Sequence, residues 1–390
     1  MATERSLYAK ANRRLKVLRT DDKIDFPFLI LLLTLLGVGL AMLYSASSAQ
    51  SQYDTGYTVS TRYLEKQGIC ALLGLVAMAV ISWIPADFWL RMAWPLYGIS
   101  ILLLLSVLLF GQSVNGARRW INIGGLQFQP SEIAKFTMIL LFARLTKKFG
   151  PWAKEFRYGV FGFGAALMGI LLPLALEKHL SAIMLMGLVA VVMMFVAGTH
   201  PKWLLAGAGA AVIFVVVYIT FMGYAGDRVT AWLHPEQDPG DTGYQILQSL
   251  YAIGSGGLFG RGIGKSRQKY LYLPFQYNDY IFAIICEELG LLGAIVIIAL
   301  FAALILRGYR IALQGEDRFS TVLAAGLVTL IAVQTVLNLG VVTNLLPSTG
   351  IALPFFSYGG TALVVNLGEM GVVLSISRYR NRAKRQEGLL

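Results

Sequence analysis

Ten apolar runs, most of them about as long as a bilayer is thick, dominate this chain and leave it few ways to fold. They cover residues 26–46, 67–84, 88–110, 131–147, 157–176, 180–198, 203–223, 277–306, 319–345 and 361–377. A helix needs about 20 such residues to cross a hydrocarbon core roughly 30 Å deep. In lipid every backbone polar group must be satisfied within the protein, so helices are the form these runs take. Hydrophobic residues make up 56% of the 390 and charged residues only 14%, which excludes a soluble globular protein. The expected fold is an all-α polytopic membrane protein of ten transmembrane helices (26–377) between a basic N-terminal tail (1–25) and a basic C-terminal tail (378–390). The weakest boundary lies between the fifth and sixth runs, where only Glu177, Lys178 and His179 interrupt the apolar sequence.

The net charge of +12 does not point to nucleic acid, because the basic residues flank the runs. With both termini cytoplasmic, 22 of the 33 Lys and Arg fall inside, in the two tails, at Arg91 and Lys202, and in the segments Arg144–Arg157 and Arg307–Arg318. That bias follows the positive-inside rule and places the large loop between the seventh and eighth helices (224–276) outside. Cys70 and Cys286 both lie in apolar runs and read as buried small hydrophobes, not as a disulfide framework. Ser45 to Ala49 resembles a signal cleavage site, but the run before it is longer than a signal h-region, so a retained anchor is expected. The N-terminal tail reads as a solvated segment whose charge orients the chain, in preference to a short amphipathic helix on the anionic inner leaflet.

Polar residues concentrate in three outer stretches. The first, GQSVNGARRWINIGGLQFQPSEIAK, carries a turn at Asn115 and Gly116, adjacent Arg118 and Arg119, a short extended piece, and Pro130 opening a helix. Glu132 and Lys135 then share a helix face one turn below the outer surface. They read either as a structural ion pair or as ligands, and the two arginines upstream favour an anionic ligand such as phosphate. The second stretch runs from Trp232 to Gly290. Asp238 opens the turn sequence DPGD and either caps that turn or the helix Tyr244 to Ile253, or is presented as a functional carboxylate. A glycine-rich segment with Arg261, Lys265, Arg267 and Lys269 follows, expected to be flexible and able to contact lipid phosphates. It carries no Walker-type pattern. Glu287 and Glu288 enter the eighth run at a depth that requires a partner or a cavity. The third stretch, LLPSTGIALPFFSYGGTALVV, reads as a broken or re-entrant segment of the kind membranes tolerate only beside protein or a cavity. His179 reads as a hydrogen-bonded turn residue, and with three histidines and no cysteine partners no zinc site is expected.

VNGARRWINIGGLQFQPSEIAK, DPGDTGYQILQSLYAIGSGGLFGRGIGKSRQKYLYLP, NDYIFAIICEELG and LPSTGIALPFFSYGG, in that order, resemble the signatures of the shape, elongation, division and sporulation family typified by RodA and FtsW. The wording is closer to the division and sporulation branch than to elongation. The resemblance implies a peptidoglycan glycosyltransferase that polymerises lipid II at the outer face of the membrane. It also implies a class B penicillin-binding protein as partner, beside other divisome or elongasome membrane proteins. It places the essential carboxylate at Asp238 and a substrate-binding set at Arg118, Arg119, Gln129, Ser131, Glu132, Lys135, Tyr244, Gln245, Lys265 and Ser357. A divalent cation (Mg or Mn) is the one cofactor this reading admits, with no organic cofactor. The chain departs from the family in the stretch Glu177 to Ile183, where relatives often read Pro-Asp-Leu-Gly-Thr or Pro-His-Leu-Ser: Lys178 replaces the proline and the usual threonine is missing; it departs also at Phe275, Gln276, Tyr277 and Thr361.

In the chemistry this implies, Asp238 deprotonates the acceptor hydroxyl while Arg118, Arg119, Lys135 or a cation binds the departing diphosphate. Glu132 orients Lys135. Two other readings are a lipid II flippase, which needs polar groups reachable from both faces, and a non-catalytic divisome scaffold.

Overall fold

The computed structural model describes residues 24–114, 117–123, 126–207, 209, 230–237 and 242–379. Asp25 opens the first helix: its carboxylate accepts from the Phe28 N–H at 3.1 Å, and Pro27 sits in the first turn, where an N–H would have no partner. This helix, α1 (Phe26–Asp54), runs eight residues beyond the expected run. It is followed by α2 (Arg62–Ile81) and α3 (Ala86–Phe110). The extended piece expected after α3 is an antiparallel meander of β1 (Gln112–Val114), β2 (Ala117–Ile123) and β3 (Leu126–Phe128), with Gln112 opposite Trp120 and Ile121 opposite Phe128. The chain continues through α4 (Pro130–Phe149), a π-helical turn (Arg157–Gly162) leading into α5 (Phe163–Leu176), and α6 (Leu180–Ala197). On the far side of the undescribed residues lie a 3-10 turn (Pro235–Gln237), α7 (Thr242–Gly256), α8 (Ile281–Leu313), α9 (Arg318–Val342) and α10 (Gly360–Tyr379).

Eight segments among the described residues are long and apolar enough to cross a membrane: α1, α2, α3, the π turn with α5, α6, α8, α9 and α10. A ninth expected run is α4, whose charged residues set it apart by composition. The seventh run, 203–223, lies mostly outside the described residues. The eighth begins later than expected, because Asn278 and Asp279 stand in a turn before α8.

Lipid and protein sort the helices by surface. On α2, Ile69, Leu72, Val76 and Val80 form an exposed stripe at helical spacing, the face a bilayer covers. By contrast α4 is enclosed by α3, α5, α6, α9 and α10, and every residue from Met138 to Ala143 is buried. The charged helix is thus the central one.

The re-entrant expectation for the third outer stretch is met by a non-helical segment, 344–359, buried at Ile351, Leu353, Phe355 and Phe356. Irregular backbone at this depth needs partners for its carbonyls. Gln334 and Asn338 of α9 supply them, donating to Ala352 O at 3.1 Å and Ile351 O at 2.7 Å. From α2, Gln67 donates to Ser357 O at 3.1 Å and accepts from the Gly359 N–H. Gly39 of α1 lets this segment approach, since a side chain there would run into the Phe355 carbonyl.

The glycine-rich basic segment, expected to be flexible, is wedged into a break in α8. At Gly290 the helix leaves helical geometry (φ 68°, ψ −170°). The freed Glu287 and Glu288 carbonyls accept from Arg261 and Gly262 N–H, both at 3.0 Å. In return Leu291 and Leu292 donate to Gly257 O at 2.9 Å and Leu258 O at 3.2 Å. Positive φ and the lack of room for a Cβ against the facing backbone make glycine necessary at both Gly260 and Gly290.

At the cytoplasmic end Asp25 also accepts two hydrogen bonds at 2.9 Å from Arg307 of α8, and its N–H donates to Ser377 of α10. Asp25 therefore joins α1 and α8 through its carboxylate and α10 through its backbone N–H. Arg307→Ala leaves it without its cation, and the expected cost is about 2–4 kcal/mol, discounted for the partly exposed arginine. Thermal unfolding in detergent checks this, with Arg307→Lys expected to recover part of the loss.

Candidate active site

The outer end of α4 is where the sequence-distant motifs meet. Gln129 caps the helix with extended backbone, without a side-chain capping bond, and Pro130 follows. Ser131 is 2% exposed and its hydroxyl has no hydrogen-bond partner. Glu132 and Lys135 form an ion pair at 2.7 Å, both almost wholly buried. Burying such a pair is costly unless further polar groups surround it.

Those groups arrive from three other elements. From β2, Arg119 donates through Nη2 to the Lys178 carbonyl at 2.6 Å. Between α5 and α6, Glu177 and His179 are buried, and neither Glu177 Oε1 nor His179 Nδ1 has a hydrogen-bond partner. His179 is hydrogen-bonded in its turn through the backbone, its N–H donating to Leu174 O and its carbonyl accepting from the Ile183 N–H, while Nδ1 of the ring meets no partner. From α10, Glu369 is 2% exposed with neither carboxylate oxygen hydrogen-bonded, and it lies within the electrostatic reach of Lys135 and Glu132.

Burial pushes the Glu177 carboxyl up to about 8, against the opposing pull of the Arg119 charge. Burial, then the charges of Arg119 and Lys135, push the His179 imidazole down to about 3. His179 is thus neutral at physiological pH. Glu177 keeps its proton in the folded chain at pH values where an unfolded chain releases it, so its ionisation costs stability as pH rises from 4.5 towards 8.

This concentration of buried polar atoms lacking partners is rare in a stable core. It has the chemistry of a chamber that receives a charged or hydroxyl-rich ligand: two cations, Arg119 and Lys135, among groups that can accept or donate protons. Glu369 was not singled out from the sequence. The signal was available, as the only acidic residue in the last apolar run.

The remaining expected site residues fall elsewhere. Arg118 stands in β2 opposite Ser113. Tyr244 and Gln245 lie half-buried in the first turn of α7. Asp238 lies outside the described residues. Its flanks are both anchored: Trp232 donates to Asn344 O at 3.0 Å, and Ser249 of α7 donates to Val342 O at 2.8 Å. Ser357 spends its hydroxyl internally, donating to Asn278 O and accepting from the Leu353 N–H, so it holds the re-entrant segment.

Lys265 is exposed on the wedge loop, whose other cations are partly consumed. Lys269 is buried against Glu288 at 3.1 Å, and Arg261 approaches Glu287 at 3.8 Å. Outside this clamp the loop borders an open cavity of about 440 Å³ lined by Arg267, Gln268, Tyr270 and Tyr272. The departures from the family pattern at 276, 277 and 361 make structural contacts. Gln276 donates to Lys269 O, Tyr277 packs against Tyr63 and Tyr358, and Thr361 ties α10 to Gln127 O of β3 at 2.7 Å. Among the described residues no group of three His, Cys, Asp or Glu is spaced to share one metal ion, and Asp238 lies outside those residues, so no step below is routed through the expected divalent cation.

Residues 26–382 match the family model for the FtsW, RodA and SpoVE cell cycle proteins. The chain belongs to this family. It is 40% identical over 365 residues to a probable peptidoglycan glycosyltransferase FtsW of Geobacter metallireducens, covering 92% of this chain and 96% of that one. It is 39% identical over 360 residues to stage V sporulation protein E of Bacillus subtilis, covering 91% and 95%. Among solved structures it is similar to a chain of a peptidoglycan synthase complex that coordinates polymerisation and crosslinking, with TM-score 0.77, 28% identity, and 92% and 98% of the two chains covered. The Thermus thermophilus rod shape determining protein RodA gives TM-score 0.69 at 27% identity, covering 92% of this chain and 97% of that one. The eight candidate spans among the described residues, and a multi-pass place in the bacterial cytoplasmic membrane, accord with this membership.

Proposed function

We propose that this chain is a peptidoglycan glycosyltransferase that polymerises lipid II into glycan strands at the outer face of the cytoplasmic membrane, for septal wall synthesis in division or sporulation. The observation that carries the reading is the clustering of Arg119, Ser131, Glu132, Lys135, Glu177, His179 and Glu369, from four separate elements, as buried polar groups at the outer end of α4. Family membership and relatives named for this activity support it.

In this mechanism Lys135 and Arg119 bind the undecaprenyl diphosphate of the donor and stabilise the charge that develops as it departs. Arg118, beside Arg119 in β2, and Gln129, Tyr244 and Gln245 contribute further polar contacts to the sugars and phosphates. Glu132 holds Lys135 in place. Asp238 takes the proton from the 4-hydroxyl of the acceptor N-acetylglucosamine, and a single displacement inverts the anomeric carbon. A class B penicillin-binding protein crosslinks the strands and docks beside this chain, as the likeness to a synthase complex supports.

The flippase reading fits less well. Below Lys135 the interior of α4 is closed by fully packed apolar side chains, Met138 to Ala143, whereas a transporter needs a polar path there.

The test is lipid II polymerisation by the purified protein with its partner, wild type against Lys135→Ala. Loss of about 10²-fold or more in strand synthesis is expected, with folding confirmed separately. Strand synthesis unchanged in the variant removes Lys135 from the diphosphate site, and no synthesis by the wild type removes the transferase reading.

A further inference from the structure

The inner end of the bundle, opposite the polar groups of α4, carries a second concentration of charge. α8 ends at Leu313, beyond the Arg307–Asp25 pair, and α9 turns back at Arg318 on the same side. There Lys147, at the end of α4, pairs with Asp317 at 2.7 Å, and Arg318 donates to Ala197 O, at the end of α6, at 2.8 Å. The segments 148–158 and 200–203 therefore meet at the inner face. They expose four basic side chains, Lys148, Lys154, Arg157 and Lys202, against a single acidic one, Glu155.

Aromatic rings hold three of these cations. Lys148 Nζ lies 5.2 Å from the centre of the Phe149 ring, the Arg157 guanidinium 5.9 Å from that of Tyr158, and Lys202 Nζ 4.9 Å from that of Trp203. The rings touch one another in turn: Tyr158 packs on Phe149 and Trp152, and Trp203 packs on Phe156, the neighbour of Arg157. The three pairs form one patch. Its backbone is pinned from below, because Gly159 of the π-helical turn lies so close to Ala153 O that a Cβ has no room, and its carbonyl accepts from Thr199 at 3.2 Å. Arg318 fills the space beside Gly150.

The way a cation is held decides what it can still attract. A carboxylate cancels the charge it pairs with, as Asp25 does for Arg307 and Asp317 for Lys147. A ring face orders the cation but leaves its full charge and its outward donors to a ligand. Trp152 and Phe156, 51% and 52% exposed, add apolar surface of the kind that sits at headgroup depth. Ordered cations beside exposed rings, at the leaflet whose surface is negative, suit a phosphate that carries acyl chains.

We propose that this patch binds one anionic phospholipid of the inner leaflet, with the headgroup phosphate among Lys148, Arg157 and Lys202 and the acyl chains along Trp152 and Phe156. The inference is independent of the transferase reading, since the patch and the polar groups of α4 lie at opposite ends of the bundle.

The experiment is native mass spectrometry of the detergent-purified full chain titrated with phosphatidylglycerol or with phosphatidylethanolamine. The wild type is expected to retain phosphatidylglycerol about tenfold more strongly. A cation close to the phosphate contributes about fivefold, so Arg157→Gln with Lys202→Gln is expected to weaken that retention about 25-fold. Arg91→Gln with Arg310→Gln removes two exposed inner cations that the patch does not include, and less than about a twofold change is expected. Tyr158→Ala with Trp203→Ala keeps every charge and is expected to lose about fivefold.

Equal weakening by the two pairs of charge replacements reduces the patch to general positive charge and overturns the proposal. Equal retention of the two lipids by the wild type overturns it too, as does full retention by the ring variant. Tighter binding of a polyglutamate peptide than of phosphatidylglycerol assigns the surface to an acidic protein segment and likewise overturns it. Should Arg157→Gln with Lys202→Gln fail to fold, Glu155→Gln decides: loss of the one acid in the patch is expected to tighten phosphatidylglycerol about fivefold, and unchanged retention overturns the proposal.

Discussion

Asp238→Asn is expected to cut glycan-strand synthesis by about 10²- to 10⁴-fold, the contribution of a positioned general base, while leaving thermal unfolding of the protein unchanged. Asparagine keeps the size and the turn-forming habit of aspartate and removes only its ability to take a proton. A carboxylate that merely capped the turn would be replaced by asparagine with little effect, so the substitution separates the two roles left open by the sequence. The flanking structure argues that an effect on activity is local: the preceding segment is tied at Trp232 to Asn344, and the following helix is tied at Ser249 to Val342. Lipid II polymerisation with the partner transpeptidase measures the loss. A variant as active as the wild type would sink the catalytic assignment of Asp238 while leaving the Lys135 result to stand by itself.

The second large effect is on stability. Glu288 accepts from Ser45 of α1 at 2.7 Å, from Lys269 at 3.1 Å and from the Ser266 N–H at 3.3 Å, and its side chain has no exposed surface. Glu288→Ala leaves the Lys269 ammonium, 3% exposed, without its counter-charge, so about 3–5 kcal/mol of destabilisation is expected. The double replacement Glu288→Met with Lys269→Met removes both charges at nearly unchanged volume and should recover a large part of that loss, because an apolar pair of similar volume is often neutral in such places. Thermal unfolding of single and double variants in one detergent measures the coupling. Equal losses in both would mean that the ion pair contributes nothing beyond the volume it fills.

Much of the architecture was legible because one physical rule dominates it: apolar runs of bilayer length have few alternatives to the helix. The central position of α4 was legible in outline too, since Glu132 and Lys135 cannot face lipid. What escaped was everything decided by contacts between distant segments. Glu287 and Glu288 announced a partner, but the identity of that partner, a loop ending some twenty residues earlier, depends on a helix break at Gly290 that no local pattern marks. The same loop read as flexible because glycines favour flexibility in isolation, whereas here they permit a backbone clamp. Glu369 stood alone in an apolar run and was passed over beside richer motifs. Ser357 looked like a ligand from its place in a motif, and its hydroxyl turns out to be spent on neighbouring backbone. His179 was read from the statistics of lone histidines, which say nothing about whether a ring nitrogen at this corner finds a donor or acceptor.

The clamp at Gly290 also has a consequence for how the chain assembles. The outer end of α8 cannot complete its backbone pairing from its own residues; it borrows four hydrogen bonds from the preceding loop. Neither partner completes its backbone pairing without the other, so the loop and the helix break must form together. The same sharing makes the extracytoplasmic surface and the membrane interior mechanically continuous. A pull on the loop from outside must break bonds at Glu287 to Leu292, and through Ser45 it reaches the first helix as well. Load applied above the membrane is thereby carried into the bundle through backbone bonds and not through a side-chain contact alone.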